Sequence, residues 1–162
     1  MVTLKRSSNV EVGTPPELLE GMQKWFGRFN LDTCCNPPLT TPVAPVWYTP
    51  TSDGLKSRWF GRSWCNPPFG SEETWVTKAC FETQGTGSTT KVAMIFPVKS
   101  SMKWWRLVIK FASNILFVEG RMKFVGMKWQ APFPVVLVLF NCHDLAGVPK
   151  LGIINRSGEI VV

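Results

Sequence analysis

Arg62-Ser63-Trp64-Cys65-Asn66-Pro67-Pro68-Phe69-Gly70, followed by Ser71-Glu72-Glu73-Thr74-Trp75-Val76, is the passage whose reading decides the fold. Arg62 to Asn66 reads as a strand that runs into a double proline, which fixes φ and removes two backbone donors, so the ladder stops there. Glu72 to about Thr83 then sets Trp75, Val76 and Ala79 at helical spacing. Strand, rigid turn, helix is the local unit.

The same alternation extends outward. Upstream, Thr14 is placed to cap a helix with Pro15 in its first turn, running to about Phe26, with Leu18, Leu19, Met22, Trp25 and Phe26 as its buried stripe. Phe29 to Cys34 reads as a short strand ending on Asp32-Thr33-Cys34. The proline-rich passage from there through Pro50 is too broken for a long helix and suits a loop around a ligand. Downstream, Gly85-Thr86-Gly87-Ser88 marks a turn and Lys91 to Val98 a strand. Ser100 or Ser101 opens a helix through about Ala112, and Asn114 to Val118 and Pro134 to Asn141 are further strands. Leu151 to Asn155 and Glu159 to Val162 predict a terminal hairpin around Arg156-Ser157-Gly158. This order predicts an α/β domain over residues 11–162, with a mainly parallel sheet, an antiparallel C-terminal part, and a flexible basic start over residues 1–10. Ligand loops gather at the carboxyl ends of such strands, where Asp32, Asn66 and Pro97 all fall.

The turn after Cys65 carries legible chemistry. An exocyclic amine on a nucleobase is a poor nucleophile while its lone pair is conjugated into the ring. Two neutral acceptors that grip its N–H groups pull that lone pair toward a neighbouring methyl donor. Asn66 offers an amide oxygen and Pro67 a main-chain carbonyl, Pro67 and Pro68 keep both aimed, and Phe69 offers a ring for the base to stack on. Cys35-Asn36-Pro37-Pro38-Leu39 repeats the pattern thirty positions earlier but lacks the aromatic and the following glycine, so the second copy is the catalytic candidate.

Composition narrows the partner. The chain has 162 residues and a net charge of +7, with eighteen Lys plus Arg against eleven Asp plus Glu, which favours a polyanion. No apolar run reaches the ~20 residues of a membrane span and the start lacks an apolar signal core, so the expectation is a soluble, cytoplasmic protein with no membrane partner. Cys34, Cys35, Cys65, Cys80 and Cys142 have no Cys-x-x-Cys spacing and His143 is the only histidine. This pattern predicts no metal centre, free buried thiols, and no Ser-His-Asp or Cys-His catalysis.

An ordered set of motifs adds a resemblance. Thr14-Pro15-Pro16-Glu17-Leu18-Leu19, Leu31-Asp32-Thr33-Cys34, Tyr48-Thr49-Pro50 with Asp53-Gly54-Leu55, Trp64-Cys65-Asn66-Pro67-Pro68-Phe69, Trp104-Trp105, Gly120-Arg121-Met122-Lys123-Phe124 and Ala131-Pro132-Phe133-Pro134 fall in the order of a known family. Over roughly residues 11–141 the chain resembles the small phage-type DNA adenine-N6 methyltransferases (Dam), and Asn-Pro-Pro-Phe looks like their catalytic tetrapeptide. The resemblance implies a Rossmann-like S-adenosylmethionine-dependent methyltransferase fold, S-adenosyl-L-methionine as methyl donor, and work in a bacterial host's cytoplasm. It implies that Thr14 and Pro15 border the methionine end of the donor, that Asp32 and Cys34 form its first strand loop with Asp32 facing the ammonium, and that Asp53 serves its ribose or adenine. Unlike larger methyltransferases, the chain has Cys34-Cys35-Asn36-Pro37 where they have Gly-x-Gly.

Arg121 and Lys123 are candidates for DNA phosphate contact, with Lys99, Lys103 and Arg106 as additions, while Trp104-Trp105 and the aromatics near Trp129 are candidates to hold an extruded base. The target amine lies inside the stack of a duplex, so the enzyme flips the base or meets it single-stranded. The same acceptor geometry serves cytosine-N4 transfer and glutamine-N5 transfer on a protein, and a catalytically inactive basic DNA-binding protein keeps the same fold. These readings stay open at this level.

Overall fold

The computed structural model describes residues 11–162; the expected flexible basic start, residues 1–10, lies outside the described residues. One seven-stranded sheet organises the described chain, in the order β2-β1-β3-β4-β6-β5-β7. The strands are β1 (Leu31–Asp32), β2 (Val46–Trp47), β3 (Arg62–Cys65), β4 (Lys91–Pro97), β5 (Ala112–Val118), β6 (Val135–Phe140) and β7 (Leu151–Ile154), and the helices are α1 (Pro16–Phe26), α2 (Glu72–Gln84) and α3 (Trp105–Phe111). β6 alone runs against its neighbours, pairing antiparallel with β4 and β5, while every other pairing is parallel. The antiparallel C-terminal part is thus one reversed strand, and β7 pairs parallel with β5.

β6 throughout and β4 from Val92 onward are apolar because both faces are covered. Along β4, Ala93 and Ile95 join Leu137 and Leu139 of β6 in a core with Leu18, Met22 and Phe26 of α1. Val92, Met94 and Phe96 alternate to the other face, with Val136, Val138 and Phe140, against Trp75, Val76 and Ala79 of α2 and Val108 of α3. At roughly 25 cal/mol per Å² of apolar surface, these two layers are the main source of stability. α1 seats tightly on the C-terminal turn: a methyl at Gly21 would collide with the Ser157 carbonyl, and the Trp25 indole donates to the Gly158 carbonyl at 2.8 Å.

Four details differ from the sequence reading. Pro15, not Thr14, stands at the N-cap of α1, and no side chain caps that helix. The Thr14 hydroxyl is occupied elsewhere, as described below. β2 forms inside the proline-rich passage, where two strand residues flanked by prolines leave no periodic signal. The helix expected from Ser100 starts only at Trp105, because residues 99–107 first make tight turns, with Met102 N–H on the Lys99 carbonyl at 2.9 Å and Leu107 N–H on the Trp104 carbonyl at 2.9 Å. That winding lets Trp104 and Trp105 both bury against Phe96, at ring-centroid distances of 6.0 Å each, so neither is available to hold an extruded base. The terminal hairpin forms in outline, with Asn155 N–H on the Glu159 carbonyl and Val161 N–H on the Ile153 carbonyl.

Candidate active site

After β1 the chain crosses to β2 on one side, and after β3 it crosses to β4 on the other, so the carboxyl ends of adjacent β1 and β3 flank the switch point of the sheet. Open α/β sheets hold their ligands at this crevice. Asp32 ends β1 and Asn66 follows the last residue of β3.

Asn66 is held in one orientation. Its amide nitrogen donates to the Val12 carbonyl at 2.7 Å and to the Thr14 hydroxyl at 3.1 Å. A carbonyl only accepts, so the NH₂ side must face Val12 and the amide oxygen is turned the other way. That oxygen, Oδ1, is buried and has no hydrogen-bond partner among the described residues. A buried amide oxygen without a donor costs about 1–3 kcal/mol, so the site is built around an acceptor that waits for an incoming N–H.

The rest of the turn is braced. Pro67 is buried and Pro68 lines the cavity beside Asn66. The Phe69 ring is half-buried, edge-on to Phe124 at 5.3 Å and Phe133 at 5.5 Å, both from the β5–β6 connection. Beneath the exit, the buried Glu72 carboxylate accepts the Gly70 N–H at 3.0 Å with one oxygen and meets the Lys99 ammonium at 2.8 Å with the other. Lys99 therefore supports the turn rather than standing free for a phosphate.

Two adjoining hollows open beside Asn66. The larger, about 230 Å³, is lined by Glu11, Cys34, Asn36, Tyr48, Asp53 and Trp75 among others. The smaller is lined by Thr14, Asp32, Thr41, Val43 and Asn66 among others, and both share Val12, Cys34, Thr40 and Asn66. Of the residues expected at the donor, Thr14, Asp32, Cys34 and Asp53 line these hollows, whereas Pro15 is buried and lines neither. Asp53 is committed to its own turn, with φ of 51°, accepting the Leu55 N–H at 3.2 Å and pairing with Lys56 at 3.2 Å. The Lys56 hydrogen bond chiefly holds its carboxyl below the ordinary value.

Asp32 has no cation partner among the described residues. Burial lifts its carboxyl to about 6, against the lowering effect of the Cys34 and Val43 N–H groups, each 3.2 Å from one oxygen. Burial likewise pushes up the thiols of Cys34 and Cys65 beside it, so neither stands as a thiolate nucleophile. All five cysteines are free.

Asn36 and Glu11 are among the lining residues that the sequence did not mark as site residues. Asn36, from the first Asn-Pro-Pro copy, faces the same cavity and donates its amide to the Glu11 carboxylate at 2.5 Å. The repeat itself was the signal for Asn36, while nothing in the sequence marks Glu11. Arg121 and Lys123 are exposed on the β5–β6 connection, residues 119–134, which leaves the sheet at the same end of the strands as Asn66. Among the described residues no helix is long and apolar enough to cross a membrane, and no group of three or more His, Cys, Asp and Glu is arranged to hold a metal ion.

An oriented amide acceptor at the switch point of a mostly parallel sheet, beside a cavity and a carboxylate with no cation partner among the described residues, is consistent with an α/β methyltransferase fold. The sequence model of the DNA N-6-adenine-methyltransferase (Dam) family matches residues 3–139, and the chain belongs to that family. It is a DNA methyltransferase acting on adenine N6, which makes DNA its substrate and requires a methyl donor. No match is found among curated proteins.

Proposed function

We propose that the adenine amine is gripped by Asn66 Oδ1 and the Pro67 carbonyl, with S-adenosyl-L-methionine as donor. The observation that carries the reading is the buried Oδ1, without a hydrogen-bond partner among the described residues, whose amide is fixed by Val12 and Thr14. The chain's own residues fit this donor. Asp32 is a buried carboxylate with no cation partner among the described residues, suited to an ammonium, and the larger hollow beside it, with Tyr48, Trp75, Asn36 and Glu11, suits a nucleoside. When bound, the donor supplies an electrophilic methyl group on a sulfonium.

Asn66 and Pro67 accept the two N6–H bonds and draw the nitrogen lone pair out of conjugation toward that methyl group. Pro68 keeps the turn rigid, and the open part of the Phe69 ring stacks on the base while its edges rest on Phe124 and Phe133. Cys34 walls the space shared by the two hollows as a neutral thiol. The methylated nitrogen is strongly acidic, so its proton passes through the Asn66 and Pro67 acceptors to water without a histidine. Thr14 serves this acceptor rather than the donor, and Pro15 supports Thr14 from the start of α1. Asp53 shapes the cavity wall through its turn.

DNA is met as a duplex with the target base flipped, or as a single strand, with Arg121 and Lys123 on its phosphates; Lys99 contributes through Glu72. Residues 11–162 act as one methyltransferase domain behind a basic start, in the cytoplasm of a bacterial host.

Incubating unmethylated DNA with methyl-labelled donor and analysing the nucleosides tests the reading. The parent protein yields N6-methyladenine, and Asn66→Ala abolishes transfer while retaining donor binding. Unchanged turnover in that variant refutes the acceptor role, and label on cytosine or on protein refutes the substrate.

A further inference from the structure

The β5–β6 connection presents a tryptophan that the reaction does not use. Trp129 is 72% exposed, with the Lys128 ammonium 5.2 Å from its ring centroid. On the same connection Arg121, Lys123 and Lys128 are exposed, against a single acid, Glu119, in residues 119–134. The connection is firmly anchored despite its length. Met122, Phe124 and Ala131 are buried, Gly13 pairs with Val125 through both backbone hydrogen bonds, and Ala131 N–H donates to the Met122 carbonyl at 2.7 Å. A rigid base that holds a large ring out in water, among cations, is the arrangement of a residue awaiting a partner that is both anionic and stackable.

Its reach is bounded by the chain. Trp129 lies four residues before Phe133 and five after Phe124, both of which touch Phe69, so its Cα is within about 14 Å of the Cα of Phe133. That is a few base-pair steps from the catalytic turn. Trp104 and Trp105 are buried; Trp47 is part-exposed on β2, beside Asp32, and Trp129 is the exposed tryptophan on the connection that carries Phe124 and Phe133.

We infer that Trp129 is a wedge: its ring enters the DNA stack at the position vacated by the extruded adenine, while Lys128, Lys123 and Arg121 hold the flanking phosphates. Trp129 acts by holding the gap open, and Asn66 receives the base. This rests on the adenine-N6 reading of the same site with a flipped base.

The test uses the full chain and an oligonucleotide carrying a mapped methylation site in three forms: intact duplex, duplex with an abasic position opposite the target, and single strand. Trp129→Ala should lower methylation of the intact duplex roughly tenfold to hundredfold, in line with the loss of one aromatic–base stack. The abasic duplex and the single strand, where no pairing opposes extrusion, should stay within about twofold of the parent, and Trp129→Phe should recover most duplex activity. Binding of S-adenosylhomocysteine, measured by calorimetry, should not change. Parent-like activity on the intact duplex, or an equal loss on all three substrates, overturns the wedge. So does a dimer of the parent that Trp129→Ala dissolves. Absence of N6-methyladenine from the parent would instead strike the substrate reading on which the wedge stands.

Discussion

Gly13 and Val125 exchange both of their backbone hydrogen bonds, at 2.9 and 2.8 Å, and so fasten the segment before α1 to the loop after β5. The residues on either side of Gly13, Val12 and Thr14, are the ones that hold the Asn66 amide. The acceptor at the end of β3 is therefore oriented by a stretch more than fifty residues away in sequence, itself pinned by the loop that carries Arg121, Lys123 and Trp129. The cavity, the Asn66 acceptor and the β5–β6 connection meet at this short segment.

Thr14→Val keeps the shape of the side chain and removes the hydroxyl. The Asn66 amide then keeps only the Val12 carbonyl and gains freedom to rotate Oδ1 away, so turnover should fall about tenfold, the equivalent of ~1.4 kcal/mol, while donor affinity stays unchanged. Thr14→Ser should restore turnover. Steady-state kinetics with calorimetric donor binding separates the cases: a loss of donor affinity with kcat intact would return Thr14 to the cofactor.

Asp32 predicts opposite pH trends for the free and the donor-bound protein. Its carboxyl rises from 3.8 to about 6 on folding through burial, so between about pH 4 and 6 the folded state binds more protons than the unfolded chain. The free protein should lose up to about 3 kcal/mol of stability from this group as pH climbs through that window. A bound ammonium reverses the trend, because it needs the carboxylate. Affinity for S-adenosylhomocysteine should be constant above about pH 6 and fall by up to tenfold per unit below it. Calorimetry from pH 5 to 8 checks this, and a flat profile would remove Asp32 from the ammonium site.

Gly54 lies against the strand that ends on Asp32. A methyl there would collide with the Thr33 carbonyl oxygen, which is backbone and cannot swing aside, and the Gly54 carbonyl also accepts the Trp59 indole N–H at 2.8 Å. Gly54→Ala should cost about 1–3 kcal/mol and weaken donor binding by displacing the cavity wall. Chemical denaturation with a donor titration reads both; parent-like stability would mean that the two backbones separate freely.

Much of this architecture was legible because it repeats. Val92 to Phe96 and Val135 to Phe140 are apolar without interruption, which only a strand covered on both faces requires, and Asn66-Pro67-Pro68-Phe69 suggests an amide acceptor by residue type alone. What stayed hidden depends on who meets whom. Thr14 looked like a cap because Thr before proline often is one, and its partner Asn66 is fifty-two positions later. Asp53 looked like a ligand for a ribose, but its carboxylate closes on Lys56 three residues away, a local pairing that competes with any ligand. Trp104 and Trp105 looked like candidates to hold an extruded base, but the turns before α3 carry both onto Phe96.

The two Asn-Pro-Pro copies meet in one cavity, and their surroundings give them separate work. Asn66 presents a buried oxygen with no partner among the described residues, whereas the Asn36 amide is spent on the Glu11 carboxylate, and its backbone is closed into a loop by the Thr40 hydroxyl at 2.8 Å from its N–H. Asn36 thus fixes Glu11 and the cavity rim rather than a reacting amine. Asn36→Ala should weaken S-adenosylhomocysteine binding about tenfold and leave kcat at saturating donor close to the parent's, the reverse of Asn66→Ala, which should lose kcat and keep donor affinity. The double variant should show both losses, since the two defects fall on different steps. If Asn36→Ala lowered kcat without touching donor affinity, the first copy would share in the chemistry, and the division between the two prolyl turns would have to be redrawn.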